Sequence, residues 1–139
     1  MTPLGKFILD RRTALAMQQA ELAQRIGVHA TYLSTIETGG KSPSKIDFLE
    51  RLANGLELND AAKVELFVAA KKSRRSIALP RNLSLRGYEA VDGFVDYIEG
   101  ANDKQLEFVK IMFDGLQRLQ INDKSSIAKP IESGEEINM

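Results

Sequence analysis

A run of small polar side chains between His29 and Thr38 is the part of this sequence best equipped for chemistry. Helical spacing would turn Leu33 and Ile36 inward and leave hydroxyl and imidazole groups on the other face to exchange hydrogen bonds. The outward set is His29, Ala30, Thr31, Thr35 and Thr38. The chain has no cysteine, a single histidine and no phosphate-cradling glycine loop, so this face suits recognition better than catalysis.

Two helices and a turn must position this face. Gln18 and Gln19 begin an amphipathic segment, and Gly27 ends it where a left-handed backbone is easiest for glycine. The apolar positions of that segment are Leu22, Ala23 and Ile26. A second helix follows to Glu37. Because a short glycine-containing turn between two helices fits the major groove of double-stranded DNA, the sequence predicts a DNA-binding helix-turn-helix.

Three further helices are predicted to complete a domain over residues 1–75. Thr2 and Pro3 are typical of the cap and first turn of a helix. Ser44 and Asp47 resemble a capping box at the start of the fourth helix. The inward side chains predicted for the fifth helix are Val64, Phe67 and Val68.

The rest of the chain is predicted to contain a connector, two helices and a tail. Residues 76–87 include a proline and a glycine and predict the connector. Residues 88–121 predict two helices, from Tyr88 to near Gln120, whose apolar positions are too many for one stripe. We interpret them as an oligomerisation segment, or alternatively as a hairpin that covers the first domain. The polar residues 122–139 predict a disordered tail, and the predicted fold class is all-α.

Composition narrows the class of protein. The 139 residues are 43% hydrophobic and 27% charged, which is ordinary for a globular protein. No apolar run approaches the ~20 residues of a membrane span, and the N-terminus lacks the apolar core of a signal peptide. The absence of cysteine excludes disulfides and thiolate zinc sites. These features favour a cytoplasmic protein without a metal site or a cofactor.

The net charge of zero hides an asymmetry between the two halves. Residues 1–75 hold 12 lysine and arginine against 8 aspartate and glutamate residues, a net charge of +4. Residues 76–139 hold 7 against 11, a net charge of −4. The predicted helix-turn-helix thus lies in the basic half, as contact with phosphates requires, although solvated surface charge alone could produce an excess of this size.

Residues 4–75 resemble the lambda/434 repressor and Cro family of regulators, often called the Xre type. The resemblance is carried by Gln19, by the run AELAQRIGV from residue 20 to 28, by YLSTIE from residue 32 to 37, and by LERLANGLEL further on. It implies a five-helix, lambda-repressor-like DNA-binding domain. The C-terminal half resembles no family in the same way.

The resemblance assigns roles to individual residues. Gln18 and Gln19 would contact phosphate and brace the recognition helix, and Arg12 would form an ion pair with Glu37. The positions implied to read base edges are Ala30, Thr31 and Thr35, with Ser34 and Thr38 beside them. The positions implied to touch the DNA backbone are Lys41 and Lys45. Ala30 departs from the family, which often has a long polar residue there, so readout is expected to lean on His29, Tyr32 or DNA shape.

Several of these residues also have plainer interpretations. Gln19 could be only a helix cap, and Lys41 and Lys45 could be solvated lysines. His29 is interpreted as the cap of the recognition helix that also contacts DNA. Tyr32 is either a packing residue or a phosphate contact through its hydroxyl.

The function predicted from the sequence is that of a sequence-specific transcriptional regulator of double-stranded DNA. We expect a homodimeric repressor that reads a palindromic operator through the helix at about residues 29–37. The alternative is an antitoxin or another adaptor whose helices over residues 88–120 bind a partner protein, with DNA binding as autoregulation.

Overall fold

Seven α-helices account for most of residues 1–127, which are the residues that the computed structural model describes, with side chains through residue 124. They are α1 Pro3–Ala14, α2 Gln19–Ile26, α3 Ala30–Glu37, α4 Ile46–Gly55, α5 Asp60–Lys72, α6 Leu85–Gly100 and α7 Asp103–Ile127. No strand occurs within this range, so the all-α prediction is confirmed. None of the described helices is both long enough and apolar enough to cross a membrane. The chain divides into two compact units, Met1–Ala78 and the part from Leu79 onward.

Local signals in the sequence account for several helix starts. Thr2 caps α1 by accepting a hydrogen bond from the Gly5 amide at 3.1 Å, and Pro3 occupies the first turn as predicted. Asn59 caps α5 by accepting from the Ala62 amide at 2.8 Å. The capping box predicted at Ser44 is wrong. The cap position of α4 belongs to Lys45, the helix begins at Ile46, and no side chain makes a capping hydrogen bond there.

The core of the first unit lies between α1 and the four helices that follow it. α1 packs on α5 and α3, while α2 packs on α3 and α4. The largest side chains buried there are Leu4, Ile8, Leu22, Ile26, Leu33, Ile36, Leu52, Leu56 and Leu66. At 25 cal/mol per Å², each such leucine or isoleucine contributes about 1.5–3 kcal/mol of transfer free energy. These contacts hold α2 and α3 at a fixed mutual angle.

Two of the three inward side chains predicted for α5 are wrong. Val64 and Val68 are 63% and 44% exposed, whereas Phe67 is partly buried and packs against the core as predicted. The side chains that α5 buries are Ala62, Leu66, Ala69 and Ala70. Leu66 and three alanines thus form the face that packs against α1 and α4, and the two valines lie outside it.

The helices of the second unit differ in length from the prediction. α6 begins at Leu85 rather than at Tyr88, because Ser84 caps it by accepting from the Gly87 amide at 3.1 Å. α7 continues to Ile127, past the predicted end near Gln120 and into the tail predicted to be disordered, since neither glycine nor proline interrupts residues 121–127. The rest of that predicted tail, residues 128–139, lies outside the described residues.

Candidate nucleic-acid interface

The turn between α2 and α3 has the backbone that its glycine predicts. Gly27 follows α2 with φ 72° and ψ 37°, in the left-handed region. The amide of Val28 donates to the Ala23 carbonyl at 3.0 Å, which closes the end of α2. His29, in extended conformation, then precedes α3. The chain therefore leaves one helix and enters the next within three residues.

α3 presents two chemically different faces. Leu33 and Ile36 are fully buried, as predicted. Thr31 and Thr38 on the opposite side are exposed, and Ser34 and Thr35 are partly so. The helix therefore offers hydroxyl groups to solvent while its apolar side anchors it to the domain.

A buried ion pair fixes the C-terminal end of α3. Arg12 on α1 donates to the two carboxylate oxygens of Glu37 through Nε at 2.8 Å and Nη2 at 3.1 Å, as the family resemblance implied. A third bond comes from Gln19, whose Nε2 donates to Glu37 Oε2 at 3.1 Å. Because Glu37 is only 6% exposed, its negative charge must be compensated by these three hydrogen bonds.

Gln19 is thus a bracing residue, and it is not a helix cap. The cap position of α2 belongs to Gln18, whose side chain makes no capping bond and is exposed. The Gln19 amide joins α2 to the end of α3 through Glu37. This bond uses one of the two N–H groups of the Gln19 amide. The Gln19 side chain is half-buried at the N-terminus of α2.

The threonine hydroxyls of α3 differ in how they are engaged. Thr35 donates to the Thr31 carbonyl at 2.9 Å, and Thr38 donates to the Ser34 carbonyl at 3.0 Å. Within the described residues, the Thr31 hydroxyl makes no such bond. Thr35 and Thr38 therefore present lone pairs that can accept, whereas Thr31 can donate or accept.

His29 and Ala30 lie at the start of α3 with different surroundings. His29 holds the cap position through its backbone carbonyl, which accepts from the Tyr32 and Leu33 amides, but its side chain makes no capping bond and is exposed. The cap that was predicted for this residue is thus a backbone cap only. Ala30 is partly buried and packs against the core, so less of its methyl group is open to a ligand than the sequence indicates.

Tyr32 packs, as one of its two interpretations predicted. Its ring meets Phe48 of α4 edge-on, with centroids 5.9 Å apart, and Lys41 Nζ lies 5.2 Å from its centroid. Lys41 and Lys45 are both exposed, and Lys45 occupies the backbone cap position of α4. Both cations therefore lie in the segment that leads from α3 to α4.

Three residues that help to hold this surface in place were not predicted from the sequence. The Ser73 hydroxyl is buried, accepts from the Leu4 amide at 2.8 Å and donates to the Ala69 carbonyl at 2.7 Å, so it joins the start of α1 to α5. Arg51 caps α2 by donating to the Ile26 carbonyl at 2.9 Å. Gly5 lies where α1 crosses the last turn of α3. Only the tertiary neighbours of these residues distinguish them from ordinary surface or helix positions.

Comparison with known families agrees with this geometry. No curated protein and no solved structure matches the chain. One family model, described as a helix-turn-helix domain, matches residues 3–67. That range runs from the first residue of α1 into α5 and contains the α2–turn–α3 unit with its buried brace. Residues 3–67 therefore match a helix-turn-helix domain, and the structure has the helices and the turn of that motif within the match.

Proposed function

We propose that this protein is a sequence-specific regulator of transcription of the lambda-repressor and Cro type, working in the cytoplasm as a homodimeric repressor. The observation that carries the proposal is the arrangement of α3. Its buried side is fixed by the ion pair between Arg12 and Glu37, and the side that bears its hydroxyl groups is exposed or partly exposed to solvent. An eight-residue helix is about 12 Å long, which suits a major groove about 12 Å wide.

The proposed contacts fall into two classes. Gln18, Gln19, Lys41 and Lys45 would touch phosphates, because they lie at the N-terminus of α2 and beyond the C-terminus of α3. The residues proposed to reach base edges or to lie beside those that do are His29, Ala30, Thr31, Tyr32, Ser34, Thr35 and Thr38. Hydroxyls pair with several bases and a methyl group contacts only the thymine methyl, so we infer that DNA shape supplies part of the specificity.

Selection of bound DNA from a random pool at two salt concentrations tests this function. We expect a two-fold symmetric site with half-sites about 10 bp apart, or a multiple of that spacing. Enrichment should survive at the higher salt, where non-specific binding is lost. A pool that stays random at both concentrations would contradict sequence-specific binding.

Replacing Lys41 or Lys45 by alanine is expected to weaken binding about equally on all DNA sequences. Each lost phosphate contact should reduce the slope of log K against log [salt] by about one, because one counterion fewer is released. The measurement is fluorescence anisotropy titration over a range of salt. The control is Lys104→Ala in α7, which removes the same charge outside the domain. A slope that changes equally in the control would show a general charge effect.

The proposed dimer contact is the helical pair α6 and α7. No side chain that the structure describes in this pair is buried, although Phe94 and Phe113 pack edge-on with centroids 5.5 Å apart. The large apolar side chains left exposed include Phe108, Ile111, Met112, Leu116, Leu119 and Ile121. A monomer rarely exposes so large an apolar face, which favours a covering partner, and a two-fold dimer would match a palindromic operator.

Sedimentation of variants tests this assignment. Ile111→Lys places a charge in the middle of the apolar face and should weaken dimerisation by about tenfold or more. The matched control is Ile77→Lys, since Ile77 is 65% exposed against 62% for Ile111 but lies in the first unit. A chain ending at residue 78 should sediment as a monomer. If that fragment remains dimeric, α6 and α7 are not the dimer element.

The same apolar face supports the second candidate function. An antitoxin or adaptor would use α6 and α7 to bind a different protein and would bind DNA for autoregulation. Purification from the native host distinguishes the two, because an adaptor should carry a stoichiometric partner whereas a homodimeric repressor should be recovered alone.

A further inference from the structure

A groove runs along the outer face of α5 in the first unit. It encloses about 1100 Å³ between α5, the segment from Gly40 to Ser44, and Leu49 of α4. Its apolar floor consists of Leu49, Val64, Phe67 and Val68. Val64 and Val68, which were predicted to be buried, are exposed because they line this groove.

The rim of the groove is strongly basic. The charged side chains that line it are Lys41, Lys63, Lys71, Arg74 and Arg75, against the single carboxylate of Asp60. Lys63 is paired with Glu50 at 2.5 Å, and Arg75 donates to the Gly39 carbonyl. Lys71 and Arg74 make no ion pair with any described residue. Within the described residues, only Lys63 among the five lining cations therefore has a carboxylate partner, and Lys71 and Arg74 also lack the carbonyl or ring contacts that Arg75 and Lys41 make.

The length of the groove indicates the kind of occupant. The lining positions on α5 run from Asp60 to Lys71 at helical spacing, which is a stripe about 17 Å long, and Arg74 follows just beyond the end of the helix. A small ligand would fill only part of it. Phosphates of DNA would gain nothing from the valines and phenylalanine of the floor. A second copy related by a two-fold axis would bring like charges face to face, because its own rim is equally basic.

We propose that this groove binds an amphipathic helix of a partner protein that has apolar side chains along one face and acidic residues beside them. The apolar face of such a helix covers the α5 stripe, and its carboxylates pair with Lys71 and Arg74. Recognition of this kind uses apolar anchors on the bound helix at i, i+3, i+4 and i+7, which suit a floor made of neighbouring apolar side chains. The surface belongs to the first unit alone and is distinct from α6 and α7.

Two synthetic helices and the full-length protein provide the test. The first peptide, of about 16 residues, carries leucine at the anchor positions and glutamate on both flanks, and the second has lysine in place of every glutamate. We expect the acidic peptide to bind in a fluorescence anisotropy titration and the basic peptide not to bind. Binding should weaken as salt rises, since exposed charges are screened.

Charge reversal identifies the surface. The double variant Lys71→Glu and Arg74→Glu should weaken binding of the acidic peptide by about tenfold and allow the basic peptide to bind instead. Lys72→Glu is the matched control, because Lys72 lies between the two on the sequence but does not line the groove. Both changed side chains are exposed, so the circular dichroism spectrum should stay as in the parent.

Several results would overturn the proposal. The acidic peptide could fail to bind, or the basic peptide could bind equally well. Lys72→Glu could weaken binding as much as the double variant does. A change in sedimentation of the double variant would show that a second copy occupies the groove, and displacement of the peptide by random-sequence DNA would show that nucleic acid occupies it.

Discussion

Arg12→Ala is expected to lower the free energy of unfolding of the helix-turn-helix domain by about 3–5 kcal/mol, the range for breaking one side of a buried ion pair. The variant leaves the Glu37 carboxylate buried with only the Gln19 amide as a side-chain donor. It also removes the bond from Arg12 Nη1 to the Met17 carbonyl at 2.9 Å, which ties α1 to the segment before α2. Urea denaturation followed by circular dichroism measures the loss.

The neighbouring arginine supplies the control for this prediction. Arg11 pairs with Glu65 at 3.3 Å, and the two side chains are 42% and 63% exposed, so Arg11→Ala should cost no more than about 1 kcal/mol. DNA affinity of the Arg12 variant should fall together with its stability, because the end of α3 loses its anchor. If the variant unfolds like the parent and still loses DNA binding, Arg12 is a direct DNA contact and the bracing role is wrong.

Gly5→Ala is expected to destabilise the same domain by about 3 kcal/mol, even though alanine is the better helix former. A Cβ atom on Gly5 would lie 2.5 Å from the Glu37 carbonyl oxygen and 2.7 Å from that of Ile36. Both are backbone atoms in the last turn of α3, so they cannot move aside as the tip of a flexible side chain does. The helix itself must shift, and thermal unfolding should show a lower midpoint.

At a helical glycine with open space around it, replacement by alanine is expected to increase stability instead of lowering it. Apart from the neighbouring backbone of α6 itself, no atom of the described residues lies within 4 Å of a Cβ placed on Gly93, so Gly93→Ala should raise helix stability by about 0.5–1 kcal/mol. The contrast separates steric crowding at Gly5 from the general effect of alanine in a helix. An unchanged or raised midpoint for Gly5→Ala would mean that α1 and α3 are packed less tightly than the structure indicates.

Elements with local causes were predictable from the sequence. The cap at Thr2, the proline beside it and the left-handed Gly27 act within a few residues, and the structure has each of them as predicted. The hydrophobic spacing of α3 likewise identified Leu33 and Ile36 as its buried side. Such features depend on short-range backbone geometry and helical period, which any chain with these residues shares.

The buried face of α5 was not predictable in this way. Val64 and Val68 satisfy a helical stripe as well as Leu66 and the alanines do. The choice between the two faces depends on how α5 packs against α1 and α4, which the sequence of α5 does not encode. Hydrophobicity and helical period allowed the valines to face inward, and in the structure they line the groove instead.

The sequence by itself determined a prediction of the kind of partner, double-stranded DNA, because the residue types from Gln18 to Thr38 and the glycine between two helices are local features that suit a DNA groove. The resemblance implied the pair of Arg12 with Glu37 and a bracing role for Gln19, but only tertiary structure decided that both donors share one buried carboxylate and that Gly5 lies against the same turn. Arg12, Gln19 and Glu37 are up to 25 residues apart in the sequence, and Gly5 is 32 residues from the carbonyl that crowds it. Their importance arises from packing between helices, which no periodicity along a single helix encodes.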